Sequence, residues 1–257
     1  MARWAVGTSG WQYAHWRGHL YPPGLPQRRW LERHAEVFAS VELNAPFYRL
    51  PERDTFTGWA DRTPPDYEFA VKASRYLTHV RRLRDPAEPV ARLMDRAAGL
   101  GTKLGPVLVQ LPPTLQADPT ALADTLACFP AVVRVAVELR HPSWESDEVR
   151  GVLQDAGAAL VWADRDSRPR SPLWRTADWG YLRLHAGRAE PWPRYGRRAL
   201  ATWVRRLEDA FGPDHDVYVY TNNDPGGAAL VDAAVLARIA AVRGMPVTRA
   251  PSAAAVR

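Results

Sequence analysis

Short apolar runs that stop abruptly in polar residues alternate along this chain with stretches in which apolar residues recur every three or four positions. The clearest run is VAVELRHPSW (135–144), where Val133, Val135, Ala136 and Val137 give way to Glu138, Leu139, Arg140 and His141. A buried parallel strand whose C-terminal end emerges into a site has this pattern. Side chains alternate along a strand, so Glu138 and Arg140 are expected on one face.

The same design recurs. Residues 3–7 predict a first strand, followed by a long aromatic loop, TSGWQYAHWRGHLYPPGLP, and a helix over 27–38 with apolar positions at Trp30, Leu31, Ala35 and Phe38. Strand two covers 40–44 and puts Glu42 in phase with Asn44; a short helix over 55–61 then leads to strand three, 67–72, which ends in Lys72. A helix over 86–100 precedes strand four, which carries Gln110 and is stopped by Pro112 and Pro113. Asp118 caps a helix to about 129. After strand five, the run described above, a helix ending near 156 leads to strand six, 158–163, which ends at Asp164. The next connection, RDSRPRSPLWRTADW, has too many prolines for a full helix. Strand seven, 180–185, has Arg183 and His185 in phase. A helix over 198–211, strand eight (216–220) running into Asn222, Asn223 and Asp224, and a helix over 227–242 complete the series. The tail, 245–257, is expected to fray.

Eight strands alternating with helices argue for a parallel sheet with crossovers. Eight such units in about 250 residues is the size of a closed α/β barrel, so the chain is expected to be a single (β/α)8 TIM-type domain over 1–257 whose helix after strand six is missing or vestigial. An open doubly wound sheet is the competing architecture, but GTSGW after strand one lacks the G-x-G-x-x-G spacing of a dinucleotide site.

Composition changes the picture in two places. The net charge of +6 is almost wholly arginine, because Lys72 and Lys103 are the only lysines; arginine abundance is therefore poor support for nucleic-acid binding. Asparagine is nearly as scarce, with three residues, and Asn44, Asn222, Asn223 and Lys72 all fall at predicted strand ends, as if chemistry required them there. A single cysteine, Cys128, rules out an intramolecular disulfide and a cysteine-rich zinc site. With no secretion pattern at the N-terminus and no window of bilayer-spanning length, a cytoplasmic protein without a membrane partner is expected.

The ordered series GTSGWQY, VELN with PFYRLP, FAVK, VLVQLPP, VELRHPSW, YLRLH and VYVYTNND resembles the YecE-like family, also called domain of unknown function 72. The resemblance runs from Val6 to about Leu236. It implies a TIM barrel and carries no assigned activity.

Barrel active sites of this kind lie at the C-terminal ends of the strands. The candidates there are Glu42, Glu138, Asp164 and His185 for catalysis and Asn44, Lys72, Gln110, Arg140, Arg183, Asn222, Asn223 and Asp224 for substrate binding. Lysine and arginine at one mouth point to a polar anionic, phosphate-bearing substrate, with hydrolysis as the chemistry and Glu138 or His185 as acid or base. The basic aromatic loops RDSRPRSPLWR and GRAEPWPRYGRR would rim the same face, which makes single-stranded nucleic acid a secondary partner. Three other arrangements compete. The first is a non-catalytic protein binding a small anion or nucleic acid. The second is a glycosidase using Glu42 and Glu138, with Trp11, Trp16 and Trp192 at the rim. The third is a buried salt-bridge network that only closes the mouth. No cofactor is expected: a divalent metal on Glu42, Glu138, Asp164, Asp224 and His185 would suit Mn, Mg or Zn, but Lys72, Arg140 and Arg183 would repel it.

Overall fold

The computed structural model describes residues 2–252 and 256. Its strands are β1 (Trp4–Ser9), β2 (Ser40–Leu43), β3 (Glu68–Lys72), β4 (Leu104–Gln110), β5 (Val135–Glu138), β6 (Ala159–Arg165), β7 (Arg168–Pro169), β8 (Gly180–Ala186) and β9 (Val217–Thr221). All except β7 run parallel, in the order β1-β2-β3-β4-β5-β6-β8-β9 with β9 paired back to β1, so the sheet closes into an eight-stranded barrel. Around it lie α1 (Trp30–Val37), α2 (Ala45–Tyr48), α3 (Arg53–Asp61), α4 (Ala87–Ala97), α5 (Pro119–Ala127), α6 (Asp147–Asp155), α7 (Arg197–Phe211) and α8 (Ala228–Val242).

The helices start and stop for local reasons. Asp118 accepts a hydrogen bond from the Ala121 amide at 2.9 Å, with Pro119 in the first turn of α5, where a missing amide hydrogen does no harm. In α7, Leu200, Trp203, Val204, Leu207 and Phe211 recur at helical spacing and are buried against the barrel; the helix ends at Gly212, at φ 60°. Each aliphatic or Phe side chain buried in this way contributes about 1.5–3 kcal/mol over its exposed state.

Among the described residues, no helix follows β6. Asp166 and Ser167 turn the chain at positive φ so that β7 pairs antiparallel with the end of β6. Hydroxyl groups of the following loop then satisfy β6: Ser171 Oγ accepts from the Ala163 amide at 3.1 Å, and Thr176 Oγ1 from the Leu160 amide at 2.8 Å. A buried strand needs such partners for its backbone, and two loop side chains supply them here.

Two expectations are corrected. The tail does not fray over its described part: the Trp4 amide donates to Pro246 O at 2.8 Å, Thr248 N to Trp4 O at 3.0 Å and Ala39 N to Arg249 O at 2.9 Å, and Val256 is buried. It pairs beside β1 because the start of that strand has a free backbone edge; residues 253–255 and 257 lie outside the described residues. A stretch long and apolar enough to span a bilayer also exists, Pro225–Val242. It is apolar because α8 is packed against α7, β1 and β9.

Alternation along the strands sorts the interior into two layers. Outward-facing residues such as Val137, Leu160 and Val219 join the helices in the main core, while Ala5, Ala70, Leu108, Ala136, Tyr181, Tyr218 and Tyr220 fill the lumen. Small residues on β1, β3 and β5 face large ones on β8 and β9. Gly7 makes this fit: a Cβ there would lie 2.4 Å from Ser40 O and 3.1 Å from the Tyr220 ring, whose hydroxyl meets Ser40 Oγ at 2.7 Å.

Candidate active site

The same alternation brings the last polar residue of several strands onto the barrel axis. Arg183, on β8, is 1% exposed and lies between two carboxylates: Nη2 donates to Glu42 Oε1 at 2.7 Å and Nη1 to Glu138 Oε2 at 2.5 Å. Glu42 also accepts from the Tyr181 hydroxyl at 2.7 Å and from the Ser9 hydroxyl, and Ser9 Oγ accepts from Asn44 Nδ2 at 2.7 Å. Glu138 accepts from Gln110 Nε2 at 2.9 Å, faces His185 Nε2 at 3.1 Å and lies 3.7 Å from Arg140 Nε. Asn222 Nδ2 lies 3.2 Å from His185 Nδ1. With the carboxylate as acceptor, the network assigns the ring proton to Nε2 and leaves Nδ1 as the acceptor.

Burial, the largest single influence, pushes both carboxyl groups up, but the charges and donors around them together outweigh it. Arg183, Ser9 and Tyr181 hold Glu42 below the usual carboxylate range, and Arg183, His185 and Arg140 hold Glu138 well below it. Burial lowers the Arg183 pKa, yet the two glutamates more than reverse that. Both glutamates are therefore anions at neutral pH and poor proton donors. Burial, then Glu42, pushes the Tyr181 hydroxyl well up, so it remains a donor.

Lys72 stands apart. It is 8% exposed, and among the described residues it has no carboxylate within ion-pair distance, because Arg183 occupies both; its Nζ lies 4.0 Å from the Phe47 ring centroid. Burial and the neighbouring Arg183 charge push its pKa down to about 8. Lys72, Arg140 and Arg183 thus set three cations against two anions. Beside Glu138 and His185 a cleft of about 420 Å³ opens, walled also by Arg140, Ala163, Arg165 and Arg170. A smaller pocket of about 200 Å³, lined by Trp11, Tyr13, Asn44, Tyr48 and Trp59, lies over the ends of β1 and β2.

Glu42, Lys72, Gln110, Glu138, Arg140, Arg183, His185 and Asn222 therefore converge, and Asn44 joins them through Ser9. Other candidates do not. Asp164 is one position out of phase with Ala163 and Arg165 and points outward, where it accepts from Tyr195 Oη and Trp203 Nε1, each at 2.8 Å. Asn223 is out of phase with Asn222 and donates to Asp232 on α8 at 2.7 Å and to Pro193 O at 2.8 Å. Asp224 lies past the strand on the rim, its carboxylate 3.8 Å from His15. Trp16, expected at the rim, is fully buried, whereas Trp192 is half exposed. Ser9, Tyr181 and Phe47 join the site although sequence reasoning missed them; for Tyr181 the signal was its place two residues before Arg183. Among the described residues, no group of three or more His, Cys, Asp or Glu is arranged to hold a metal ion.

A closed parallel barrel with charged strand ends gathered at one mouth defines a TIM-type α/β protein. The chain belongs to the DUF72 family, described as a protein family of unknown function, whose profile matches residues 5–255. It is 24% identical over 256 residues to the UPF0759 protein YunF of Bacillus subtilis (strain 168), covering 87% of this chain and 90% of that one. Among solved structures, a DUF72 family protein from Thermotoga maritima MSB8 superposes with a TM-score of 0.78 at 28% identity, over 90% of this chain and 96% of that one. A DUF72 family protein from Enterococcus faecalis V583 gives a TM-score of 0.77 at 19% identity, over 93% and 95%, a likeness of fold.

Proposed function

We propose that the mouth is the active site of an enzyme acting on a polar anionic, phosphate-bearing substrate, with hydrolysis as its chemistry. The observation that carries this reading is the cleft in which Arg140, Arg165 and Arg170 surround the Glu138–His185 pair. Arginine forks match phosphate oxygens bidentately. Lys72, Arg140 and Arg183 together outnumber Glu42 and Glu138 by one positive charge. His185 is the proton carrier, because a neutral imidazole donates from one ring nitrogen, here Nε2 to Glu138, and accepts at the other. Glu138 is a positioning residue: it accepts from Nε2 and would stabilise the imidazolium formed once a substrate hydroxyl or a water displaces the Asn222 amide from Nδ1 and gives that nitrogen its proton.

A thermal-shift series tests the ligand. Phosphate, sulfate, nucleotides and short oligonucleotides are expected to stabilise the protein, by about 2.7 kcal/mol at a hundredfold excess over Kd, and the Arg165→Ala, Arg170→Ala double variant is expected to lose most of that gain. Stabilisation by neutral saccharides alone would instead favour a glycosidase using the aromatic pocket of Trp11, Tyr13, Tyr48 and Trp59. On the phosphoester found by a substrate screen, His185→Asn should lower turnover about 10²-fold while leaving anion stabilisation in place, as expected for loss of a general acid–base.

A second reading, a non-catalytic protein that binds a small anion or nucleic acid, is favoured by one feature: both glutamates are already committed to Arg183. Anion stabilisation without turnover of any phosphoester, glycoside or acyl substrate would select it.

A further inference from the structure

We propose that Lys72 is a covalent residue whose ε-amino group condenses with the carbonyl of a small anionic aldehyde or ketone to form an imine. This goes beyond the hydrolytic reading and does not rest on it. The geometry is that of a cation at the end of β3, inside the barrel mouth, with no counterion within ion-pair distance among the described residues. Both carboxylates that act on it, Glu42 and Glu138, are held by Arg183, and its Nζ sits over the face of Phe47, 4.0 Å from the ring centroid. Lys72 is 8% exposed, so the side chain is not wholly sealed from solvent.

Lys103, the other lysine of the chain, shows what a structural lysine looks like in this fold. Its Nζ donates to Thr63 O at 2.6 Å, to Thr63 Oγ1 at 3.2 Å and to Ala60 O, filling its three hydrogen-bonding positions. Lys72 has no such acceptors among the described residues, and a ring face is a weaker partner than a carboxylate. The charges acting on it are Arg183, Glu42, Glu138 and Arg140, with His79 close enough to feel it in turn. Burial and Arg183 bring its pKa to about 8. Roughly a quarter of a group with that pKa is a free amine at pH 7.5, against far less than a hundredth for an ordinary lysine. Arg140, which acts on Lys72, walls the cleft with Arg165 and Arg170 and would hold a carboxylate or phosphate on the same molecule.

The step balances without an oxidant or reductant. The Nζ lone pair forms the C–N bond as the carbonyl π pair moves to oxygen. Proton transfer from nitrogen to oxygen gives a neutral carbinolamine. A proton from solvent then lets the hydroxyl leave as water, and the nitrogen lone pair closes the C=N⁺ bond.

The scarcity of lysine makes the test clean. The unmodified protein is incubated with cyanoborohydride and, in parallel, pyruvate, dihydroxyacetone phosphate or neutral acetone, and the reduced adducts are mapped by peptide mass spectrometry. Lys72 is expected to label at least about tenfold faster than Lys103. One or both anions should outpace acetone, and the arm that does so tells carboxylate from phosphate recognition. The adduct should disappear in Lys72→Arg and persist in Lys103→Arg. Equal labelling of the two lysines, or no Lys72 adduct with either anion, overturns the proposal. Mapping on the unmodified chain keeps that outcome independent of how the variants fold. Phosphate stabilisation without a Lys72 adduct sinks the imine and spares the anion reading, while adduct formation without phosphate stabilisation does the reverse.

Discussion

Arg183→Met is expected to destabilise the protein by about 3–5 kcal/mol, the size of effect seen when one partner of a buried ion pair is removed and the other charge is left uncompensated. Arg183 is 1% exposed, and its two terminal nitrogens are divided between Glu42 and Glu138, so the change strands two buried carboxylates. The loss carries a pH signature. In the native protein both glutamates have folded pKa values below their unfolded ones, so their stabilisation is present above the ordinary carboxylate range and fades as pH falls. Without Arg183 the largest charge opposing burial is gone from both glutamates, so both values rise and the variant gains less stability with rising pH than the native protein does. Urea unfolding should therefore show a smaller deficit at pH 5 than at pH 7. A loss under about 1 kcal/mol, well short of a broken buried pair, or a deficit independent of pH would remove the triad from its place as the foundation of the mouth.

Acid is expected to act mainly through His34, which lies outside the mouth. This residue of α1 is fully buried, stacked on Phe38 at 4.5 Å and facing Trp16 at 6.4 Å. The Thr8 hydroxyl gives its hydrogen to Gly10 O, so it must accept from His34 Nε2 at 2.9 Å; the Tyr67 hydroxyl, 2.7 Å away, then donates to Nδ1. Both nitrogens are satisfied in the neutral ring, and burial lowers its pKa from 6.5 to about 3. A group depressed in this way contributes stability that is complete above its unfolded pKa and is lost as pH falls from 6.5 toward 3. The slope is about 1.4 kcal/mol per pH unit, a total on the order of 4–5 kcal/mol. Asp232, raised by burial to about 6, works in the opposite sense, its contribution fading as pH rises from its unfolded value through 6. The useful observable is therefore the stability difference between the native protein and His34→Gln, in which Asp232 and the glutamates cancel. That difference should shift against the native protein as pH drops from 6.5 to 3, and a constant difference would refute the assignment.

The sequence by itself determined what is local. A period of two in VAVELR and YLRLH put Glu138 on one strand face and Arg183 with His185 on another, and abrupt ends such as VLVQLPP and FAVK marked where strands leave the core. Those regularities come from backbone geometry, which nearest neighbours in the chain settle. Strand phase was equally local, and for Asp164 and Asn223 it outweighs position: each is polar and near a strand end, yet each sits one residue off the inward register and so faces α7 or α8. Only the tertiary structure decided who pairs with whom. Glu42, Glu138 and Arg183 lie on β2, β5 and β8, which meet because the sheet closes, and closure depends on the summed register of eight strands. Arg183 takes both carboxylates, and among the described residues Lys72 is left without one within ion-pair distance. The tail joins β1 because that strand's start needed a partner, and Ser171 and Thr176 accept from β6 amides because those needed one too. Such outcomes depend on which backbone and charged groups remain unsatisfied after everything else has packed, a quantity that belongs to the whole fold rather than to any segment of the chain.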